Sequence, residues 1–347
     1  MKTRDIIVGI IIAALVILYL FQKDQKESKP VQPIVSIYLS ENRNCIDPIF
    51  DRFEKEYNIT VRRFYLDDAN KTHTFFKALF KNNASKVDIY WSKDPIEAML
   101  LKKRGMLFPY HSPSAQTIPK RFKDVDGTWT GLAARLRLLY VRRGAKPVPT
   151  GIEDFIRADF EKHGVIATPL KGSQRLYTAA LLKEWGADRT EAFLKKLKHS
   201  AAIVSSDQES LKKVKEGEYD FTLLDSDRLF TSLRQKEPIL ILFPDQRPQA
   251  PGSLLIPDVL MLLRQAPHPK NAKKLIDYLL RPETESYLAH RCGKFPLHPD
   301  IKTPTFLPSI AHIKTMNLDY NEVAEELPIL EKILWKWQRS DIVPSAN

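Results

Sequence analysis

An α/β protein of two domains behind an N-terminal membrane segment is what the sequence predicts, and three observations carry it. Strand-like runs alternate with amphipathic helical runs, the pattern of mostly parallel sheets flanked by helices. The length of 347 residues suits about two domains with cores of their own. Asp126 to Gly144 reads as one long strand behind an Asp-Gly turn, with Ala134, Leu136, Leu138 and Tyr140 on one alternation and Arg135, Arg137, Leu139 and Val141 on the other. Its second face turns from charged to apolar partway along, as expected of a strand crossing between domains; an edge strand with a solvated arginine pair is the alternative the pattern leaves open.

The chain begins with Ile6 to Phe21, an unbroken apolar run between Asp5 and Gln22. As a helix it is about 24 Å long at ~1.5 Å per residue, workable as a membrane span with snorkelling flanks. Bulky and charged residues follow it where a signal peptidase needs small ones, so an uncleaved anchor is expected over residues 6–22, with a cleaved signal as the rival. Lys2 and Arg4 hold residues 1–5 in the cytoplasm, which puts the bulk of the chain on the extracytoplasmic side of the inner membrane. Residues 23–33, with Pro30 and Pro33, read as a linker.

Ile34–Leu39 alternates as a strand, Ser40–Asn44 is a polar loop, Asp47–Tyr57 has helical spacing and Ile59–Phe64 returns to strand. Thr72–Phe80 reads as a helix, Val87–Trp91 as a strand, and Pro95–Arg104 as a helix opened by Asp94 and stopped by Gly105. Beyond the crossing strand, helices are expected at Ile152–Phe160, Arg175–Trp185, Glu191–Lys198 and Ser210–Glu216, with strands at Val165–Thr168 and Phe221–Leu224. Lys171-Gly-Ser-Gln174 opens the second of these helices, where free N–H groups favour an anion and Ser173 alternatively serves as a plain cap. Asp225 and Asp227 close at a strand end, able to bind a cation, cap a helix or pair with arginine. Leu254–Leu263 is a second long apolar run, Asn271–Leu280 and Glu283–Arg291 are helices, and Asn321–Gln338 has one apolar face that must pack on the body.

The net charge is +12, but 54 basic residues are interspersed with 42 acidic ones. With neither a helix-turn-helix signature nor zinc-finger spacing, nucleic acid is not an expected partner; anionic lipid or an anionic ligand suits the charge better. The sequence has no G-x-S-x-G elbow, no H-E-x-x-H motif and no nucleophile beside its base, so neither an enzyme nor a cofactor is expected. His268 and His298 sit beside prolines and read as turn residues. Two cysteines, Cys45 and Cys292, make neither a zinc site nor a redox motif by themselves.

Ile34-Val-Ser-Ile-Tyr38 followed by Phe50-x-x-Phe53-Glu54-x-x-Tyr57-x-Ile59-x-Val61, then Asp88-Ile-Tyr-Trp91, Gly105-Met-Leu-Phe-Pro-Tyr110, Asp126-Gly-Thr-Trp-Thr-Gly-Leu-Ala-Ala-Arg135, Gly217-Glu-x-Asp220-Phe, Pro244-Asp-Gln246 and Ala266-Pro-His-Pro269 occur in an order that resembles the periplasmic solute-binding proteins of ABC transporters, in their ferric-iron-binding-like branch. The resemblance covers about Val35 to Pro304. It implies a type II periplasmic-binding clamshell, with lobe 1 over 34–137, lobe 2 over 138–250 and a return to lobe 1 plus C-terminal helices over 251–347. It also implies a monomer that meets an ABC permease and closes by hinge motion on a small-molecule or metal-complex ligand. Iron complexes, phosphonates and other small zwitterions or anions are the expected classes, held by Ser40, Glu41, Ser92, Asp94, Arg135, Gly172, Ser173, Asp225 and Asp227. The resemblance places both cysteines in the first lobe or near the hinge, which leaves room for a Cys45–Cys292 disulfide in an oxidising compartment. A degenerate relative kept as a membrane-anchored sensor or scaffold is the alternative function. The chain departs from ferric binders after Phe221, where Leu224-Asp-Ser-Asp227 stands in place of adjacent tyrosines, and has Ser92-Lys-Asp94 where relatives favour Asn-Asn-Glu.

Overall fold

Two sheets share one strand. The computed structural model describes residues 32–66, 87–227 and 238–340. The first sheet has the order β2(Thr60–Tyr65), β1(Ile34–Leu39), β3(Ile89–Ser92), β9(Leu255–Leu262), β4(Thr130–Arg142). The N-terminal half of β4 pairs with β9, from Thr130 opposite Leu260 to Leu136 opposite Leu255. From Arg137 onward β4 leaves β9 and pairs with β7(Phe221–Asp225) and β8(Ile239–Leu242) in the second sheet. There a parallel bridge from Gly164 to Phe221 adds β5(Val165–Ala167), which pairs in parallel with β6(Ala202–Val204). β1, β2 and β3 are parallel, but β9 runs antiparallel to both neighbours. The sheets are therefore mixed rather than mostly parallel: a return strand laid beside the outgoing one must run against it.

β4 is no edge strand with solvated arginines. All but its last residue are buried, Arg135 and Arg137 included. Its alternation serves two apolar layers, Leu132, Leu136, Leu138 and Tyr140 joining one and Leu139 and Val141 the other. A register shift between Leu132 and Ala134 is made by Ala133 at φ 52°, uncommon for a residue with a Cβ. Its N–H donates to Glu285 Oε1 at 2.7 Å, and the other oxygen of Glu285 accepts from the N–H groups of Leu297 and His298. One buried carboxylate thus fixes the bulge just ahead of the crossing.

Nine helices are described: α1(Arg43–Tyr57), α2(Pro95–Lys103), α3(Gly172–Trp185), α4(Ala187–Ser200), α5(Asp207–Lys215), α6(Pro269–Leu279), α7(Pro282–Cys292), α8(Tyr320–Glu325) and α9(Leu327–Arg339). α1 begins four residues before Asp47 because Asn42 accepts from the Asn44 N–H and turns the expected loop into a first helical turn. The helix expected over Ile152–Phe160 is instead two 3-10 turns, Ile152–Ile156 and Ala158–Phe160. Asp154 accepts from the N–H groups of Thr150 and Gly151 and draws the chain tight, and Arg157 is extended between the turns. The single helix expected over Asn321–Gln338 breaks at Glu326 into α8 and α9, since Pro328 has no N–H with which to continue it. The expected helix Thr72–Phe80 and the apolar run Ile6–Phe21 lie outside the described residues; among the described residues no helix is long and apolar enough to cross a membrane.

Cys45 in α1 and Cys292 at the end of α7 are joined as a disulfide, with Cα atoms 5.8 Å apart. His268 caps α6 and lies 3.1 Å from Asp88, while buried His298 meets Thr117 and the Leu280 carbonyl. Both histidines are bound into the scaffold.

Candidate functional site

Where β4 changes sheets, its two arginines gather carboxylates from several other elements. Arg135 Nε donates to Asp225 Oδ2 at 2.8 Å, Nη1 to Asp258 Oδ1 at 3.0 Å, and Nη2 to the Lys93 carbonyl at 2.7 Å and to Ser173 Oγ at 3.4 Å. Arg137 Nη1 donates to Asp207 Oδ2 at 2.5 Å and Asp225 Oδ1 at 3.0 Å, and Nη2 to Gln174 Oε1 and the Leu223 carbonyl. Asp225, at the end of β7, therefore accepts from both guanidinium groups and from Ser173 Oγ at 2.7 Å. Buried charges persist only when so paired, because removing them from water without a partner costs several kcal/mol each.

On the first-lobe side, Lys294 donates to Glu41 Oε1 at 2.8 Å and Asp258 Oδ2 at 2.7 Å. Lys93, in the loop after β3, reaches across to Asp227 Oδ2 at 2.7 Å. Ser92 Oγ donates to Glu97 at 2.5 Å, and Asp94 caps α2 by accepting from the Ile96 N–H at 2.9 Å. The Ser40 N–H donates to the Trp91 carbonyl. Gly172 opens α3 at φ 62°, and that helix has no side-chain cap. A pocket of about 240 Å³ lies there, lined by Thr168, Lys171, Ser173, Ser205, Ser206 and Asp207 among others.

The electrostatics follow from burial working against pairing. Burial opposes ionisation of Glu41, yet Lys294 and Lys93 outweigh it and hold that carboxyl well below the usual range. Asp225 is likewise held down, by Arg135 and Arg137 against the cost of burial. Asp258 goes the other way: burial, with Glu41 beside it, pushes it up to about 6 although Lys294 and Arg135 pull it down. Burial and then the Asp94 charge push Glu97 up to about 7. Burial also raises Asp207 in spite of Arg137.

The nine expected residues are spread over the ends of β3 and β7, the loops after β1 and β3, the start of α3 and the interior of β4, and their side chains do different things. Arg135, Ser173, Asp225, Asp227 and Glu41 join ion pairs or their hydrogen bonds, whereas Asp94 serves as a helix cap and Ser92 holds Glu97. Sequence reasoning missed Lys93, Asp207, Asp258 and Lys294. Asp258 had a signal, being the one charged residue in Leu254–Leu263, and a carboxylate inside a buried run demands a cation. Lys93 was marked only as part of the Ser92-Lys-Asp94 departure from the family pattern, and Asp207 and Lys294 carry no local mark. Among the described residues no group of three or more His, Cys, Asp or Glu is arranged to hold a metal ion.

Two sheets joined through a shared strand, with the polar groups concentrated at the crossing, define a two-lobe solute-binding protein. The family model described as bacterial extracellular solute-binding protein matches residues 75–322, and the chain belongs to that family. It is a binding protein and not an enzyme. Over 322 residues it is 20% identical to "Iron uptake protein A1" of Synechocystis, covering 88% of each chain. It is 24% identical to a Salmonella typhi periplasmic protein named for 2-aminoethylphosphonate binding, covering 74% of each. Among solved structures, apo ferric ion-binding protein A of Pasteurella haemolytica superposes with a TM-score of 0.79 at 21% identity, over 89% of this chain and 98% of that one.

Proposed function

We propose that the protein is the extracytoplasmic receptor of an ABC-type importer, held at the inner membrane by its Ile6–Phe21 segment and closing its lobes on a small anionic or zwitterionic solute. The observation that carries this reading is the convergence at the β4 crossing of Arg135, Ser173 and Asp225, with Glu41 and Asp227 joined through Lys294 and Lys93, beside a pocket of about 240 Å³ at the α3 N-terminus. Hydroxyls of Thr168 and Ser206 with the ammonium of Lys171, at the N-terminus of α3, suit an oxyanion such as a phosphonate. The names of the Synechocystis and Salmonella relatives favour iron uptake and an aminophosphonate, respectively. Leu224-Asp-Ser-Asp227 lacks the phenolates that would favour a bare ferric ion.

The pairing of Arg135 with both Asp225 and Asp258 favours a second reading, in which the cleft satisfies itself and the protein is a membrane-anchored sensor or scaffold. Native mass spectrometry of protein from its own host, followed by thermal shifts with phosphonates, ferric citrate, amino acids and polyamines, separates the two. A retained solute, with stabilisation of about 2.7 kcal/mol at a hundredfold excess over Kd, supports the receptor. No bound mass and no shift with any member supports the scaffold. Alkaline carbonate extraction checks the anchor: the full-length chain stays with membranes, and a mature N-terminus near residue 25 refutes it.

A further inference from the structure

Among the cations of the crossing, Lys93 differs in kind from the rest. Arg135, Arg137 and Lys294 are no more than 3% exposed and hold strands and loops together from within. Lys93 and its partner Asp227 are each 28% exposed and face one another across the cleft, at 2.7 Å. The Lys93 backbone is fixed from below, because its carbonyl accepts from Arg135 Nη2. Its ammonium stands in the field of Asp227 first, then of Glu41 and Asp258. Those carboxylates, on both sides of the cleft, are the groups that a cationic ligand or the ammonium of a zwitterion needs.

We propose that Lys93 is a specificity-determining residue: its ammonium occupies the cation position of the cleft, so that the solute taken is a small anion without a cationic group. This deepens the receptor reading and rests on it. Five carboxylates of the crossing already have a resident cation, Asp227 with Lys93, Glu41 and Asp258 with Lys294, Asp225 with Arg135, and Asp207 with Arg137, while Asp94 is turned into the cap of α2 and Glu97 is held by Ser92. An incoming cation must displace one of these, and Lys93 is the one within reach of solvent. An incoming anion displaces no resident cation: the pocket at the α3 N-terminus presents Lys171 and the hydroxyls of Thr168 and Ser206, those of Ser173 and Ser205 being donated to Asp225 and Glu209, and its single carboxylate, Asp207, is committed to Arg137.

The test is a gain of binding. Lys93→Met keeps most of the aliphatic stem and removes the charge, while Lys93→Arg keeps the charge. Titration calorimetry at low ionic strength compares both with the wild type against putrescine, Mn²⁺ and 2-aminoethylphosphonate. Expected is a roughly tenfold or greater tightening for all three probes in Lys93→Met and none in Lys93→Arg. Wild-type protein that binds the cations as tightly as Lys93→Met, or folded Lys93→Met that gains nothing, overturns the proposal. If Lys93→Met does not fold, Asp227→Asn with Lys93→Met removes the buried mismatch, and its stability against Asp227→Asn alone decides whether Lys93 is a structural ion instead. A wild-type chain with no solute of its own would count against the receptor reading alone, since these probes are supplied.

Discussion

Arg135→Ala is the sharpest perturbation of the crossing. The side chain is 3% exposed and makes four hydrogen bonds, two of them to carboxylates, Asp258 fully buried and Asp225 13% exposed. Deleting one partner of a buried ion pair typically costs about 3–5 kcal/mol, mostly because the abandoned charge has no water to return to. Here both carboxylates keep a second cation, Asp225 with Arg137 and Asp258 with Lys294, so the lower end, about 3 kcal/mol, is expected at pH 7.5. Acid should recover part of it. Asp258 has a folded pKa of about 6 even with Arg135 present, and losing that cation raises it further, so that near pH 5 the abandoned group is neutral. Urea denaturation followed by fluorescence of the five tryptophans, at pH 7.5 and pH 5, measures both terms. Arg135→Ala with Asp258→Asn should be less destabilised than Arg135→Ala alone by about 1 kcal/mol or more. A loss below about 1 kcal/mol at pH 7.5, or an equal loss at both pH values, refutes the account of Arg135 as the ion on which the crossing depends.

Glu97 titrates in the folded chain near 7, above its unfolded value; the stability this gives is therefore full below the unfolded value and is lost as pH rises through 7. Glu97→Gln should flatten the stability profile between about pH 5 and 7.5, removing a slope worth roughly 3 kcal/mol in total, and a profile identical to wild type in urea titrations at stepped pH would refute this. Cys292→Ser opens a loop of 247 residues between Cys45 and Cys292, for which chain entropy sets a ceiling of about 5 kcal/mol. A lowered urea midpoint is expected, along with the absence of free thiols in the wild type when it is alkylated under denaturing, non-reducing conditions; two reactive thiols there would remove the disulfide.

Much of the architecture was legible because it rests on local chemistry. The period-two alternation of Thr130–Arg142, the cap at Asp94, the stop at Gly105 and the apolar runs at Ile34–Leu39 and Phe221–Leu224 each state their element within a few residues. Elements went astray where a short-range hydrogen bond overruled the pattern: Asp154 turned an expected helix into 3-10 turns, and Asn42 started α1 early. β6 and β8, only three and four residues long, show too little alternation to be read at all.

The sequence by itself determined the α/β class, one long strand over Thr130–Arg142, and the presence of two arginines at the place where that strand changes its surroundings; that the strand crosses from one sheet to the other was decided by its pairings. It could not determine which charges meet there. Asp258 is 123 residues from Arg135, Lys294 is 253 from Glu41 and Asp227 is 134 from Lys93. Each of these partners is chosen by where separate strands and loops end in space, and a side chain's sequence neighbours say nothing about a cation brought to it from the far side of a cleft. Only the tertiary structure decided that Glu41, Asp225, Asp227 and Asp258 are each met by one of the protein's own cations, because in a low-dielectric crossing a carboxylate is costly unless a cation or hydrogen-bond donors meet it.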